Sequence, residues 1–260
     1  MTYILLFTAF IFVAFCYSFL KNAKKRAYAN PALIKSYHLL LHSNVLFYKN
    51  LNQSQRVRFI KKVIRFLEKT RIEGIGTEIN ETDKILVAAS AIIPIFNFGE
   101  WEYRNLTNVI LYPDTFDDQF QFEGENRSVL GMVGSGFLHG QMLLSKNALY
   151  HGFANSEGNY NTAIHEFVHL LDKADGNIDG IPELLLKHTY IIPWLKAMEK
   201  EIHRIKKGNS DINPYATTSE AEFFAVVSEY FFRKPERFMS KHPDLYKILD
   251  SMFNPKTDPE

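Results

Sequence analysis

The sequence predicts an α+β protein, mostly helical with a small mixed sheet, carried behind one apolar amino-terminal helix. Three observations predict it. Most of the 260 residues fall in stretches whose apolar side chains recur at three and four positions, the helical period. Two short stretches have strand composition, and the first twenty residues carry no charged side chain.

The amino-terminal run from Tyr3 to Leu20 is 18 residues of apolar and small side chains. At helical rise it reaches roughly 27 Å, close to the ~30 Å thickness of a bilayer's hydrocarbon. Lys21, Lys24, Lys25 and Arg26 follow it at once, so the positive-inside rule sets the amino terminus outside and the body in the cytoplasm. Residues 1–26 are therefore expected to be a transmembrane anchor with its basic flank. A cleaved signal peptide would want basic residues ahead of the run and small residues at a cleavage site, and a lipid-bearing Cys16 would want a small residue where Phe15 stands.

The body, residues 27–253, opens with helical patterning from Pro31 to about Thr70. It is clearest in SQRVRFIKKVIRFLEKT, where Val57, Ile60, Val63, Ile64 and Leu67 alternate with basic residues. Gly74 and Gly76 break the pattern, and Thr82 or Asp83 is the expected cap of the next segment, KILVAASAIIPIF. That segment is apolar on every side, the pattern of a buried helix ending near Pro94. VILYPDTF reads as a strand closed by Pro113 and Asp114, and Gly140 to Ser145 as a second. Residues 183–206 and 219–232 read as helices, and 254–260 as a tail without periodicity. No internal repeat or interdomain linker is evident.

A formal net charge of +1 provides no field for nucleic acid, and no basic stripe interleaved with aromatics appears. With the four cations of the basic flank set aside, 26 basic residues face 29 acidic ones, an ordinary balance for a cytoplasmic body. The single cysteine, Cys16, excludes an internal disulfide framework and a cysteine-based metal cluster. Any metal must use His, Asp or Glu.

NTAIHEFVHLLDKADG places His165 and His169 four apart, with Glu166 directly after the first. On a helix such residues differ by about 40° in azimuth, so both imidazoles can face one ion while Glu166 sits beside them to take a proton from water. The bland alternative is an amphipathic helix with a stripe of Ile164, Phe167, Val168 and Leu171 and two satisfied histidines. Asp172 falls at i+3 from His169, where it could orient an imidazole or simply be solvated at the helix end. A catalytic zinc needs a third protein ligand. Glu222 and Glu229, seven apart in INPYATTSEAEFFAVVSEYFF, share a helix face and either could reach across. Ser219 with Glu222 three residues later also makes a capping-box pattern, and spacing alone does not choose between cap and ligand.

HEFVHLLD with DGNIDGIP, then NPYATTSEAEFFAVVSEYFF, together with AASAIIPIFNFG and VILYPDTF, resembles the Mlc titration factor A family of bacterial zinc peptidases. That family's catalytic core is similar to the protease domain of anthrax lethal factor. The resemblance runs from about Leu33 to Phe253 and implies a zincin-like, gluzincin-type metallopeptidase domain. It also implies Zn2+ on His165, His169 and Glu222, with Glu166 as catalytic base and Tyr215, seven residues before Glu222, in the catalytic site. The amino-terminal apolar segment and residues 117–138 lie outside the correspondence. The implied chemistry is peptide hydrolysis: zinc lowers the pKa of its water, Glu166 moves the proton to the leaving amine, and zinc with Tyr215 stabilises the oxyanion. The strand Gly140 to Ser145 could pair with an extended peptide substrate.

DGNIDG matches the opening of a calcium loop at Asp175, Asn177, Asp179 and Gly180, but Leu186 stands where the closing Glu is needed. A polar turn is the better reading. His139, His151, His188, His203 and His242 have no mutual spacing that suggests a second metal. Two rival functions remain open. One is a membrane-tethered binding module that sequesters a transcriptional regulator, an expectation drawn from the family's relatives. The other is a structural zinc whose removal unfolds the body.

Overall fold

The computed structural model describes residues 30–255, apart from 105, 118, 123–126, 135–138, 155–157, 159, 184 and 187–189. The amino-terminal anchor expected over residues 3–20 lies outside the described residues. Among those described, no helix is long and apolar enough to cross a membrane.

Helix formation follows local chemistry closely. Asn30 caps α1 (Pro31–Asn44), accepting from the amides of Ala32 and Leu33, with proline at the first helical position. A single turn, α2 (Leu46–Lys49), leads to α3 (Gln53–Lys69). There Asn52 and Gln55 form a reciprocal capping box, and Phe59, Ile60, Val63, Ile64 and Phe66 are buried. Val57 lies outside that face, 49% exposed. The buried helix expected around AASAIIPI is α4 (Glu81–Ile95). Its cap is Asn80, with Asp83 completing the box at the third position, rather than Thr82 or Asp83 as the sequence suggested. Asp83 can be fully buried there because Lys146 and the Tyr150 hydroxyl meet its carboxylate at 2.9 and 2.7 Å. Pro94 falls in the last turn of α4.

The sheet has four strands in the order β1 (Arg71–Gly74), β2 (Asn108–Tyr112), β4 (Gln141–Ser145), β3 (Gly131–Val133). β1–β2 and β2–β4 are parallel and β3–β4 is antiparallel, so the sheet is mixed. β2 and β4 are the two strands legible in the sequence. β1 and β3 are four and three residues long, too short to show a period. The pairing also corrects the expectation for Gly140 to Ser145: β4 is flanked on both sides, and the edges are β1 and β3, of which β3 is the one beside α6.

After α5 (Lys146–Ala154), the HExxH segment forms α6 (Thr162–Asp172), capped by Asn161. α6 packs on α4 and α5, on β3, and on α8 (Glu220–Arg233). Of the helix expected over 183–206, the described residues show α7 (Ile191–Lys206), and the Leu185 and Leu186 amides ahead of it bond to the Pro182 carbonyl. α9 (Pro235–Lys241) and α10 (Pro243–Phe253), each begun by proline, close the chain over α8. Phe224, Phe231 and Phe232 of α8 gather on Phe253, with ring centroids between 4.7 and 6.1 Å apart. α6 thus lies inside one core with its histidine face toward α8.

Candidate metal centre

His165 and His169 lie one turn apart on α6, and Glu222 lies in the first turn of α8. Ser219 caps α8 by accepting from the Glu222 amide at 3.2 Å. Only this half of the capping box forms, because the Glu222 carboxylate turns to the histidines instead. Its Oε2 is 2.9 Å from His165 Nε2 and its Oε1 is 3.4 Å from His169 Nε2. The two Nε2 atoms are 3.1 Å apart. Among the described residues this is the one group of three or more His, Cys, Asp or Glu side chains arranged to hold an ion.

The second nitrogen of His165 is held as well. Glu229 Oε1 stands 2.6 Å from His165 Nδ1, and its other oxygen accepts from the Asn161 amide at 2.6 Å. A carboxylate on Nδ1 fixes the proton there, which leaves the Nε2 lone pair facing Glu222 and His169. Nε2 of both histidines and the Glu222 carboxylate then converge on one point. Zinc bonds of about 2.0–2.2 Å in tetrahedral geometry set neighbouring ligand atoms about 3.3 Å apart. The separations of 2.9, 3.1 and 3.4 Å match that spacing. The residues fit a zinc-sized cation.

Electrostatics agree. Burial by itself would pull the His165 pKa down, yet the hydrogen bonds to Glu222 and Glu229 outweigh it and hold it at about 10. Glu222 is likewise disfavoured as an anion by burial, and the two histidines overcome this and push its pKa well below the carboxylate range. The cluster demands a positive charge at its centre, which either a proton or a metal ion can supply.

Glu166 lies beside His165 on the wall of the same cleft, with its carboxylate against Gly131 of β3. It is buried, and burial lifts its carboxyl pKa in spite of the nearby histidines. Gly131 makes room for it: a Cβ there would lie 2.8 Å from Glu166 Oε1 and 2.9 Å from Thr162 Cγ2. The buried carboxylate is thereby held against β3. Tyr215 sits on a 3-10 turn, Pro214–Thr217, ordered by Asn213, whose side chain accepts from the Tyr215 amide at 2.9 Å. Its ring lies 6.2 Å from that of His165 and is 50% exposed. Partial burial, then the charges of Glu222 and Glu166, raise the phenol pKa, so it remains a donor at neutral pH. A cleft of about 950 Å³ joins these parts, with Asp114, His151 and Tyr160 on its far walls.

Asp172, read from the sequence as either orienting an imidazole or solvated at the helix end, is fully buried, and its hydrogen bond goes to backbone. One of its oxygens accepts from the Gly180 amide at 2.8 Å; the other, like His169 Nδ1, is buried without a hydrogen-bond partner. Burial raises its pKa to about 6 against the pull of that amide. Gly180 in turn carries the chain past α8 at φ 74°, where a Cβ would stand 2.2 Å from the Glu220 carbonyl oxygen. The segment DGNIDG is thus a spacer between the two ligand helices. Asp175 accepts from the Asn177 and Glu183 amides and Asp179 from the Ile181 amide, which is a turn satisfying itself rather than a calcium cage. His242, expected to be an isolated histidine, is buried between Glu201 and Asp211 at 3.1 and 2.8 Å.

Sequence reading missed Glu229 as the partner of His165 and β3 as the edge beside Glu166. The seven-residue spacing of Glu222 and Glu229 was the available signal, and it does not say which carboxylate takes which atom.

Residues 19–254 match the family described as glucose-regulated metallo-peptidase M90, and the chain belongs to that family. It is 27% identical over 239 residues to an uncharacterized protein of Synechocystis sp., covering 87% of this chain and 86% of the relative. Mlc titration factor A of Cronobacter sakazakii is 29% identical over 212 residues, covering 76% and 78%. Mlc titration factor A of Salmonella arizonae is 29% identical over 218 residues, covering 76% and 82%.

Proposed function

We propose, with membership of the glucose-regulated metallo-peptidase M90 family as the premise, that this chain is a zinc-dependent peptidase. His165, His169 and Glu222 hold the metal, Glu166 is the general base, and Tyr215 steadies the developing oxyanion. The observation that carries the reading is the convergence of one ligand-type atom each from His165, His169 and Glu222 beside a buried carboxylate.

Bound zinc would acidify a water and polarise the scissile carbonyl. Glu166, its pKa lifted by burial, accepts the water proton and returns it to the leaving amine nitrogen. The Tyr215 phenol donates to the carbonyl oxygen as negative charge builds there. Glu229 keeps the His165 proton on Nδ1 throughout. The substrate backbone pairs with the open edge of β3, which brings its carbonyl beside Glu166. Residues 3–20 anchor the protein in a membrane with the catalytic domain on the cytoplasmic side.

Metal content by mass spectrometry, together with hydrolysis of a peptide library, tests this on the full chain. About one zinc per chain is expected in the wild type and in Glu166→Gln, with loss in His165→Ala and Glu222→Ala. Hydrolysis by Glu166→Gln should fall by about 10²–10⁴-fold. A folded wild type that takes up no zinc, or a zinc-loaded Glu166→Gln with the wild-type rate, overturns the proposal. The name of the titration-factor relatives favours a second role, capture of a regulator such as Mlc. A Glu166→Gln variant that still pulls down such a partner would assign that role separately from hydrolysis.

A further inference from the structure

We propose that a second cavity, at the far end of the β3 edge, selects an acidic side chain about three residues before the scissile bond. This rests on the peptidase reading above and adds a substrate class to it.

The argument begins with which part of β3 is free. Leu130 and Gly134 bond to the β4 side, through Ser145 N–H to Leu130 O at 2.8 Å and Gly134 N–H to Gln141 O at 2.9 Å. In an antiparallel pair bonding alternates, so Gly131 and Val133 turn their N–H and C=O groups away from β4. One residue earlier on that side, Val129 is already bridged to Phe116. The open edge is therefore short, from Gly131 to Val133, and one end of it is fixed by Glu166 against Gly131.

The other end opens into a cavity of about 540 Å³ whose walls include Val133, Gly134, Trp101, Tyr103, Arg104 and Lys173. Its charge is one-sided. Glu102, the only carboxylate among its described lining residues, is held by Arg65 and Lys69. Arg104 and Lys173 have no carboxylate within ion-pair distance among the described residues, and Lys173 reaches only the Gly134 carbonyl, at 3.3 Å. His139 adds a third nitrogen-bearing side chain to the same walls. Trp101 and Tyr103 meet edge to face at 4.8 Å and give the cavity an apolar floor for the stem of a side chain.

Direction and distance follow from strand geometry. From Gly131 to Gly134 is three residues, about 10 Å of extended chain. A substrate antiparallel to β3, the commoner pairing, runs from the cavity toward Glu166. The cavity then receives a side chain on the amino side of the scissile bond, and its unpaired cations favour a carboxylate there.

The test uses the zinc-loaded full chain and uncharged peptides in which a single glutamate or glutamine is walked along the sequence, with products identified by mass spectrometry. Glutamate near the third residue before the cleaved bond should raise kcat/KM about three- to tenfold over glutamine. Arg104→Glu, an exposed position, should abolish that preference, and Arg104→Glu with Lys173→Glu should turn it toward lysine. Equal cleavage of the glutamate and glutamine peptides, a preference on the carboxyl side, or an unchanged preference in Arg104→Glu overturns the inference while leaving the peptidase reading intact. No cleavage of any peptide by the zinc-loaded wild type overturns both.

Discussion

Replacing Gly180 by alanine should damage the metal centre from a position that touches no ligand. Gly180 donates its amide to Asp172 at the end of α6, accepts from Trp194 Nε1 at 2.7 Å, and passes the start of α8 at φ 74°. A methyl group there would stand 2.2 Å from the Glu220 carbonyl oxygen, 2.4 Å from its carbon and 2.9 Å from the Ala221 nitrogen. All three are backbone atoms, so no rotamer change relieves the contact. An L-residue in the left-handed region costs about 1–2 kcal/mol, and overpacking of this kind about 1–3 kcal/mol more. The sum, about 2–5 kcal/mol, lowers Tm by about 4–20 °C in a domain of this size. Relief requires α8 to retreat by about 1 Å, while metal sites tolerate only about 0.2 Å. Glu222 is two residues from Glu220, so zinc affinity should fall at least about tenfold. Gly176→Ala is the control: its φ of 112° is strained, but nothing lies within 4 Å of the added methyl. It should lose stability alone. Zinc titration and thermal unfolding of the two variants decide the matter, and equal zinc affinity in both would refute the idea that Gly180 sets the distance between the helices.

Glu229→Gln keeps the shape of the His165 contact but removes the charge that fixes its proton, so zinc affinity should fall about 10–100-fold in a competition titration while the fold persists. Tyr215→Phe should lower kcat about 10–10³-fold with little change in KM, because the phenol acts on charge that exists only in the transition state. His242→Gln should flatten the stability profile measured by urea unfolding against pH. In the folded protein the bonds to Glu201 and Asp211 raise the His242 pKa above 6.5 in spite of burial, a contribution complete below pH 6.5 and lost as pH rises through the folded value. The same bonds lower Glu201 and Asp211 in spite of burial, a contribution present above their ordinary values of 4.5 and 3.8 and lost as pH falls through the folded values. The wild-type advantage should therefore peak between about pH 4.5 and 6.5.

What the sequence by itself determined about this protein is what local spacing controls. Four-residue separation puts His165 and His169 on one face of α6 whatever surrounds the helix, because helical pitch is a property of the backbone. An apolar run without a polar face, around AASAIIPI, has to be an interior helix, and α4 is one. The resemblance of HEFVHLLD and NPYATTSEAEFF to a peptidase family singled out Tyr215 and Glu222 where spacing left two carboxylates equal.

Tertiary structure alone decided how the two carboxylates divide their work. Glu222 and Glu229 are 57 and 64 residues from His165, and which oxygen meets which nitrogen depends on how far α8 slides along α6. That slide is set by the Gly180 turn and by packing between the helices, neither of which has a local signature. The same holds for β3, whose three residues are too few to reveal a period and whose role as the open edge exists only once β2 and β4 have paired. It holds for His242, an isolated letter in the sequence that becomes a buried cation when α7 and the segment before α8 close on it from two sides. Periodicity records the one-dimensional repeat of a backbone, whereas a metal centre is a meeting of side chains whose separation along the chain carries no energy until the core has formed.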